Sequence, residues 1–196
     1  MATRRYDMSA RGRAREQTRE AILDAAVARF GDAWYDEVTL ADVAAEAGVS
    51  QQTVVNHFGN KIGLYTAALA ERAAPAIVAE RDRAIPGQVD SVIETVMRDY
   101  ERTGIGTWRL VVLADRIPEL MSVVAGGRRA HREWIERVFA PQLRAAEDAD
   151  REQVVTLLAT VLNVTTWYTL RHEADLEPGA AAEHLRALVT AVLTRR

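Results

Sequence analysis

A chain of 196 residues, 48% hydrophobic and 27% charged, is long enough to bury a core and has the composition of an ordinary globular protein. It has no cysteine, which removes disulfides, thiolate metal sites and a cysteine nucleophile and makes a reducing cytoplasm the expected setting. The formal net charge of −3 argues against a protein coated in nucleic acid, without excluding one small face that touches it. The first 20 residues lack the apolar stretch of a signal peptide.

Residues 1–19 hold six arginines against Asp7 and Glu16. With Ser9 and Gly12 they read as a flexible basic arm over residues 1–14, which either follows phosphates into a minor groove or is a solubilising tail. The most informative stretch follows, Thr39 to Phe58, TLADVAAEAGVSQQTVVNHF. Leu40, Val43, Ala44 and Ala47 recur at three and four residues and line one face of a short helix. Thr39, with Asp42 three residues on, is placed to cap its start, and Gly48 to end it. Ser50 suits the cap of a second helix, which Val54 and Phe58 fold back onto the first, where small Ala44 permits a close crossing. Gln51, Gln52, Thr53, Val55 and Asn56 are left pointing outward. Such side chains donate to or accept from base edges, and a valine can touch a thymine methyl. Two helices joined by a Gly turn also occur as plain packing units, so the flanks matter: a basic arm upstream and Asn56-His57-Phe58-Gly59-Asn60-Lys61 downstream. Lys61, the one lysine in the sequence, falls at a predicted helix start, where an ammonium and the first amides together suit a phosphate.

The segment from Glu16 to Tyr65 resembles the DNA-binding domain of the TetR family of transcriptional regulators. The resemblance rests on Ile22-Leu23, Ala25-Ala26 and Phe30, then Thr39, Ala47-Gly48-Val49-Ser50, Thr53, His57-Phe58, Lys61 and Leu64, in order and spacing. It implies a three-helix domain over residues 15–61 whose third helix reads the major groove. A long fourth helix and an effector-binding and dimerisation domain over residues 62–196 would follow. The DNA-contacting set becomes Thr39, Ser50, Gln51, Gln52, Thr53, Val55, Asn56, His57 and Lys61. Three positions depart from the family pattern. Val55 stands where a phosphate-touching tyrosine is usual, Trp34 where a glycine usually closes the first helix, and Ile62 where an acidic residue usually follows the lysine. Trp34 is strained if its backbone is left-handed; otherwise the loop has been rebuilt.

Beyond Tyr65 no alternating run of strand length occurs, and turn residues divide the chain into further helices. The pattern predicts helices over 60–83, 88–102 (ending at Gly104), 107–115, 119–144 (loosened at Gly126-Gly127 and kinked at Pro141), 151–173 and 180–196. The expectation is an all-α chain of about nine helices. Val154 to Leu170 is 17 residues without a charge, too short and too rich in threonine for a membrane span. A helix apolar around its circumference needs cover on more than one side. The last helix carries a stripe of Leu185, Leu188, Val189, Val192 and Leu193. Packing these last two helices against a second copy would give a four-helix dimer interface, as the resemblance also implies; packing within one chain is the alternative.

The expected function is a dimeric transcriptional regulator that binds an inverted-repeat operator in double-stranded DNA, represses, and is released by a small, largely apolar effector. Met97, Tyr100, Trp108, Met121, Trp134, Asn163 and Trp167 are candidate effector contacts, with plain core packing as the competing reading. Asn163 is the most diagnostic, because a buried amide needs partners, whereas His131, beside Arg128, Arg129 and Arg132, reads as a surface residue. No cofactor, metal or catalytic residue is expected: His57, His131, His172 and His184 lack metal spacing, and no phosphate loop or GxSxG occurs. A ligand-independent DNA-binding or protein-interaction module is the main rival, and an all-helical enzyme a remote one.

Overall fold

The computed structural model describes residues 3–144 and 148–195, and every regular element among them is helical. The chain divides into two units, Met1–Ala76 and Ile77–Arg196.

In the first unit α1 spans Thr3–Asp32, α2 Leu40–Glu46, α3 Gln51–Phe58 and α4 Lys61–Ala68. A π turn, Leu69–Ala73, carries α4 on into α5, Ala74–Arg81. Ile22, Leu23 and Ala26 of α1, Val43 of α2, Val54 of α3 and Leu64 of α4 are fully buried, so one apolar row from each helix meets at a shared centre. Phe30, Tyr35 and Tyr65 close its edge, with ring centres 4.6 Å (Phe30–Tyr65) and 5.4 Å (Tyr35–Tyr65) apart. Arg19 forks onto Glu71 at 2.6 and 2.5 Å and Arg72 reaches Asp24 at 2.7 Å, pinning the π turn to α1.

Two expectations change here. Residues 3–14, read from sequence as part of a flexible arm, continue α1, consistent with alanines and arginines that favour helix. Arg11, Arg13 and Arg15 are exposed on it. The first unit also runs beyond residue 61, because α4 packs against α1 and belongs to the same core.

In the second unit α6 spans Val89–Leu113, then a 3-10 turn Pro118–Leu120 leads into α7, Met121–Val138, and α8, Ala140–Leu143. After the undescribed residues come α9, Asp148–Val161, and α10, Val164–Tyr168, which runs through a second π turn, Thr169–Glu173, before α11, Pro178–Thr194. Helices α10 and α11 pack on α6, and α9 packs on α7 and α11. Ile93, Ile135, Phe139, Leu158, Leu162 and Val189 are fully buried among them.

Gly104 does not end a helix, as its position suggested; it lies buried in the middle of the single helix α6. Its role is close approach. A Cβ there would stand 2.5, 2.7 and 2.8 Å from three ring atoms of Trp167. Gly126 and Gly127 likewise leave α7 unbroken, with open space around both. Pro141 sits in the first turn of α8, after a break at Phe139, where its missing N–H costs nothing. The uncharged stretch is not one helix. It divides at Asn163, whose side chain accepts from the Thr166 N–H at 2.9 Å and caps α10.

These glycines separate two effects of the same substitution. Gly104→Ala gains helix propensity but drives a methyl into the Trp167 ring, and should lose about 1–3 kcal/mol. Gly127→Ala meets nothing and should gain up to about 1 kcal/mol. Urea melts of both variants check this, and a neutral or stabilising Gly104→Ala would contradict the assigned packing.

Candidate functional site

Helices of seven and eight residues need their ends satisfied, and both members of the α2–α3 pair are capped by side chains. Thr39 Oγ1 accepts from the Asp42 N–H at 3.1 Å while Asp42 Oδ2 accepts from the Thr39 N–H at 2.9 Å, a reciprocal capping box. Thr39 Oγ1 also donates to Asp42 Oδ2 at 2.6 Å. These bonds hold the Asp42 carboxyl below the usual carboxylate range. Gly48, at φ 68°, makes the left-handed turn between the helices. Ser50 then caps α3 through the Thr53 N–H at 3.2 Å.

Val54 is the buried residue of α3, and Thr53, Val55, His57 and Phe58 are half-buried. Gln51, Gln52 and Asn56 are exposed. Gln52 Nε2 donates to Asn56 Oδ1 at 3.0 Å, so the two amides form one preset pair, leaving the Gln52 oxygen and the Asn56 amino group to face outward chemistry. Ser50 Oγ and Thr53 Oγ1 lie 2.9 Å apart and are similarly engaged.

Asn60 caps α4 through the Gly63 N–H at 2.9 Å, which puts Lys61 at the first helical position. Its Nζ lies 4.2 Å from the centre of the Tyr35 ring, and burial lowers its pKa from the ordinary lysine value. The ring holds the ammonium beside the start of α4, a contact that sequence reasoning missed because Tyr35 stands far from Lys61 in the chain. Trp34 does not adopt a left-handed backbone: among the described residues Asp175 is the one non-glycine with positive φ. The loop is rebuilt instead, with the Trp34 N–H donating to Glu37 Oε2 at 2.9 Å.

Capped short helices, a left-handed Gly turn and an exposed amide row are the parts of a helix-turn-helix DNA reader. Residues 22–68 match the model for "Bacterial regulatory proteins, tetR family". A curated relative, the HTH-type transcriptional repressor LfrR of Mycolicibacterium smegmatis, is 31% identical over 175 residues, covering 76% of this chain and 90% of the relative. This chain belongs to the TetR family. It is therefore a DNA-binding transcriptional regulator and not an enzyme.

Solved structures agree on the fold across nearly the whole chain. A tetR-family regulator from Streptomyces coelicolor has a TM-score of 0.71 at 24% identity, covering 90% of this chain and 79% of that one. A transcriptional regulator from Rhodococcus sp. Rha1 has a TM-score of 0.70 at 18% identity, covering 91% and 95%. The SmeT–triclosan complex has a TM-score of 0.61 at 21% identity, covering 90% of each chain.

The TetR-like second unit arranges the expected effector contacts differently from one another. Met97, Tyr100, Trp134 and Trp167 are buried in its core. Their polar atoms are used: Tyr100 OH donates to the Leu162 carbonyl at 3.2 Å, Trp134 Nε1 to the Arg81 carbonyl at 3.0 Å and Trp167 Nε1 to Glu101 Oε1 at 2.9 Å. Trp108 stacks on Tyr168, ring centres 3.8 Å apart, and Met121 is exposed. Of the seven, Asn163 alone borders the cleft of about 320 Å³ between α7 and α9–α10, whose walls also include Val111, Arg128, His131, Arg132 and Thr160. Asn163 Oδ1 is engaged by its capping role. His131 is not the surface residue expected. It is half-buried, its Nε2 lies 3.1 Å from the Ala159 carbonyl, and its ring packs 6.1 Å from that of Trp134. No helix among the described residues is long and apolar enough to cross a membrane, and no group of His, Asp and Glu there could hold a metal ion.

Burial, and then the charge of Arg81, push the His131 imidazole down to about 4. An unfolded histidine takes up its proton near 6.5, so acid favours the unfolded chain. The His131 contribution is complete above about pH 7 and is lost as pH falls toward 4. Between about pH 7 and pH 5 it should cost about 2 kcal/mol. Chemical denaturation at both values should show a steeper loss for the parent than for His131→Gln; equal losses would remove this assignment.

Proposed function

We propose that two copies of this chain bind an inverted-repeat operator and repress by occupying it, and that a small, largely apolar effector entering the second unit releases them. One observation carries the reading: α3 is a short, capped helix whose exposed row is the preset Gln52–Asn56 amide pair beside Gln51. Uncharged amides at a helix surface read base edges, where charged side chains would bind any phosphate equally. Ser50, Thr53, Val55 and His57 complete the α3 face in this reading, with Thr39 and Lys61 as backbone contacts.

Support for repression comes from LfrR, which is named a transcriptional repressor, and support for a small-molecule effector from SmeT, solved with triclosan. The second copy is supported by apolar surface on the last helices that one chain leaves uncovered. Leu188 is 42% exposed, and Val154, Leu157, Val161 and Leu193 are only partly buried. Leu185, Val189 and Val192 of the same stripe are already covered within the chain, so the partner would take the remainder. A twofold axis there would set two α3 helices toward successive major grooves, about 34–36 Å apart.

Sedimentation and mobility shifts on palindromic promoter fragments test the core of this. A dimer that retains an inverted repeat at low salt supports it; a lasting monomer that retains none ends it. Lys61→Ala should weaken binding to all sequences alike and lower the salt slope by about one. An unchanged slope would take Lys61 out of the interface. Gln52→Ala or Asn56→Ala should change base preference inside each half-site, as measured by binding-site selection, whereas a uniform loss would show that neither amide reads sequence.

A further inference from the structure

The cleft between α7 and α9–α10 has walls of one electrical sign. Arg128, His131 and Arg132 line it, and no carboxylate, phenyl, phenol or indole ring does. Arg132 is compensated, with Glu152 at 2.6 Å and Glu136 at 3.4 Å. Arg128, which also lines the cleft, is not: among the described residues it makes no ion pair or hydrogen bond. Thr156 and Thr160, also on the wall, spend their hydroxyl protons on the carbonyls of Glu152 and Thr156, which leaves Arg128 as the charged donor of the cleft without a counter-ion.

A further cation lies behind this wall. Arg81 is buried, held between the Tyr100 and Trp134 rings at 4.8 and 4.5 Å, and its Nε donates to Asp99 Oδ2 at 2.8 Å. Its Nη1 is buried without a hydrogen-bond partner. A buried guanidinium N–H left unmade is costly, and native proteins keep few of them. Burial, and then Arg81's charge, keep the cleft-lining His131 uncharged near neutral pH. At its polar end the wall offers the positive charge and unspent donors of Arg128. At the other end Val111, Ala159 and Val164 offer an apolar floor.

We propose that this cleft receives an aryl carboxylate, its carboxylate on Arg128 and its ring against Val111, Ala159 and Val164. The inference deepens the effector reading above and rests on it for its regulatory meaning. A guanidinium presents donors in a planar fork that matches a carboxylate, and the bonds are charge-assisted. A cationic aromatic ligand would meet the unpaired Arg128 guanidinium, with no carboxylate in the cleft lining to offset it. The volume of about 320 Å³ lies at the small end of ligand sites, which fits one or two fused rings.

The test uses the full chain, with calorimetric titration of benzoate, 2-naphthoate, 2-naphthamide, benzyltrimethylammonium and inorganic phosphate. The expected result is saturable binding of at least one of the two carboxylates, with 2-naphthamide and the ammonium about tenfold weaker or absent. Arg128→Gln should weaken the carboxylate about tenfold or more, and Arg128→Lys should recover part of it. Arg128 is exposed, so neither variant should disturb folding, and thermal melts of the free proteins confirm this. Equal affinity for 2-naphthoate and 2-naphthamide, preference for the ammonium, binding of phosphate alone, no binding of either carboxylate, or indifference to Arg128→Gln each overturns the proposal. Operator binding measured with and without 2-naphthoate separates the two readings. Carboxylate bound through Arg128 with DNA affinity unchanged keeps the site and removes its role as an effector site.

Discussion

A helix of seven or eight residues does not persist alone in water, because fixing its first turn costs more than its few hydrogen bonds return. The DNA-binding unit presents two such helices, α2 and α3, followed by the start of α4, and what it presents depends on how these starts are held. Thr39, Ser50 and Asn60 each accept from the N–H three residues on, and Gly48 supplies the left-handed step that lets α3 start at once. Val43, Val54 and Leu64, all fully buried, then tie each helix to the α1 core. Caps set where each helix begins and burial sets which face turns inward. The outward face of α3 is what remains.

The second unit meets a different constraint. It buries charge as well as hydrocarbon: Arg81 pairs with Asp99, both buried, while buried Glu80 reaches the exposed Arg98 and Arg83. Removing either partner of the Arg81–Asp99 pair leaves a charge without water or counter-ion, so that pair is committed to one arrangement of α5 against α6. The Tyr100 and Trp134 rings on either side of Arg81 are committed with it. These two rings look available in the sequence and are closed off in the fold.

The helix-turn-helix was legible from the sequence because its signals are local. A cap and the amide it satisfies lie three residues apart, and a left-handed glycine announces itself by its place after an apolar face. Gly104, Asn163 and His131 were misread for the opposite reason. Gly104 looked like a terminator, but its glycine answers Trp167, far along the chain. Asn163 sat within what looked like one uncharged helix, but its side chain caps a second helix at a break the uncharged run concealed. His131 looked solvent-exposed among arginines, yet it packs on Trp134 and faces the Ala159 carbonyl.

Sequence alone was enough to determine the all-helical class, the capped pair α2–α3 and the row of side chains that α3 turns outward, since each follows from residues within one or two helical turns. Tertiary structure decided the rest: which aromatics are core, where the cleft opens, that Lys61 rests on Tyr35, and that Arg81 is one hydrogen bond short. Those properties belong to pairs of residues many positions apart. Their contacts form only when whole helices choose their neighbours, and no periodicity within a segment encodes that choice.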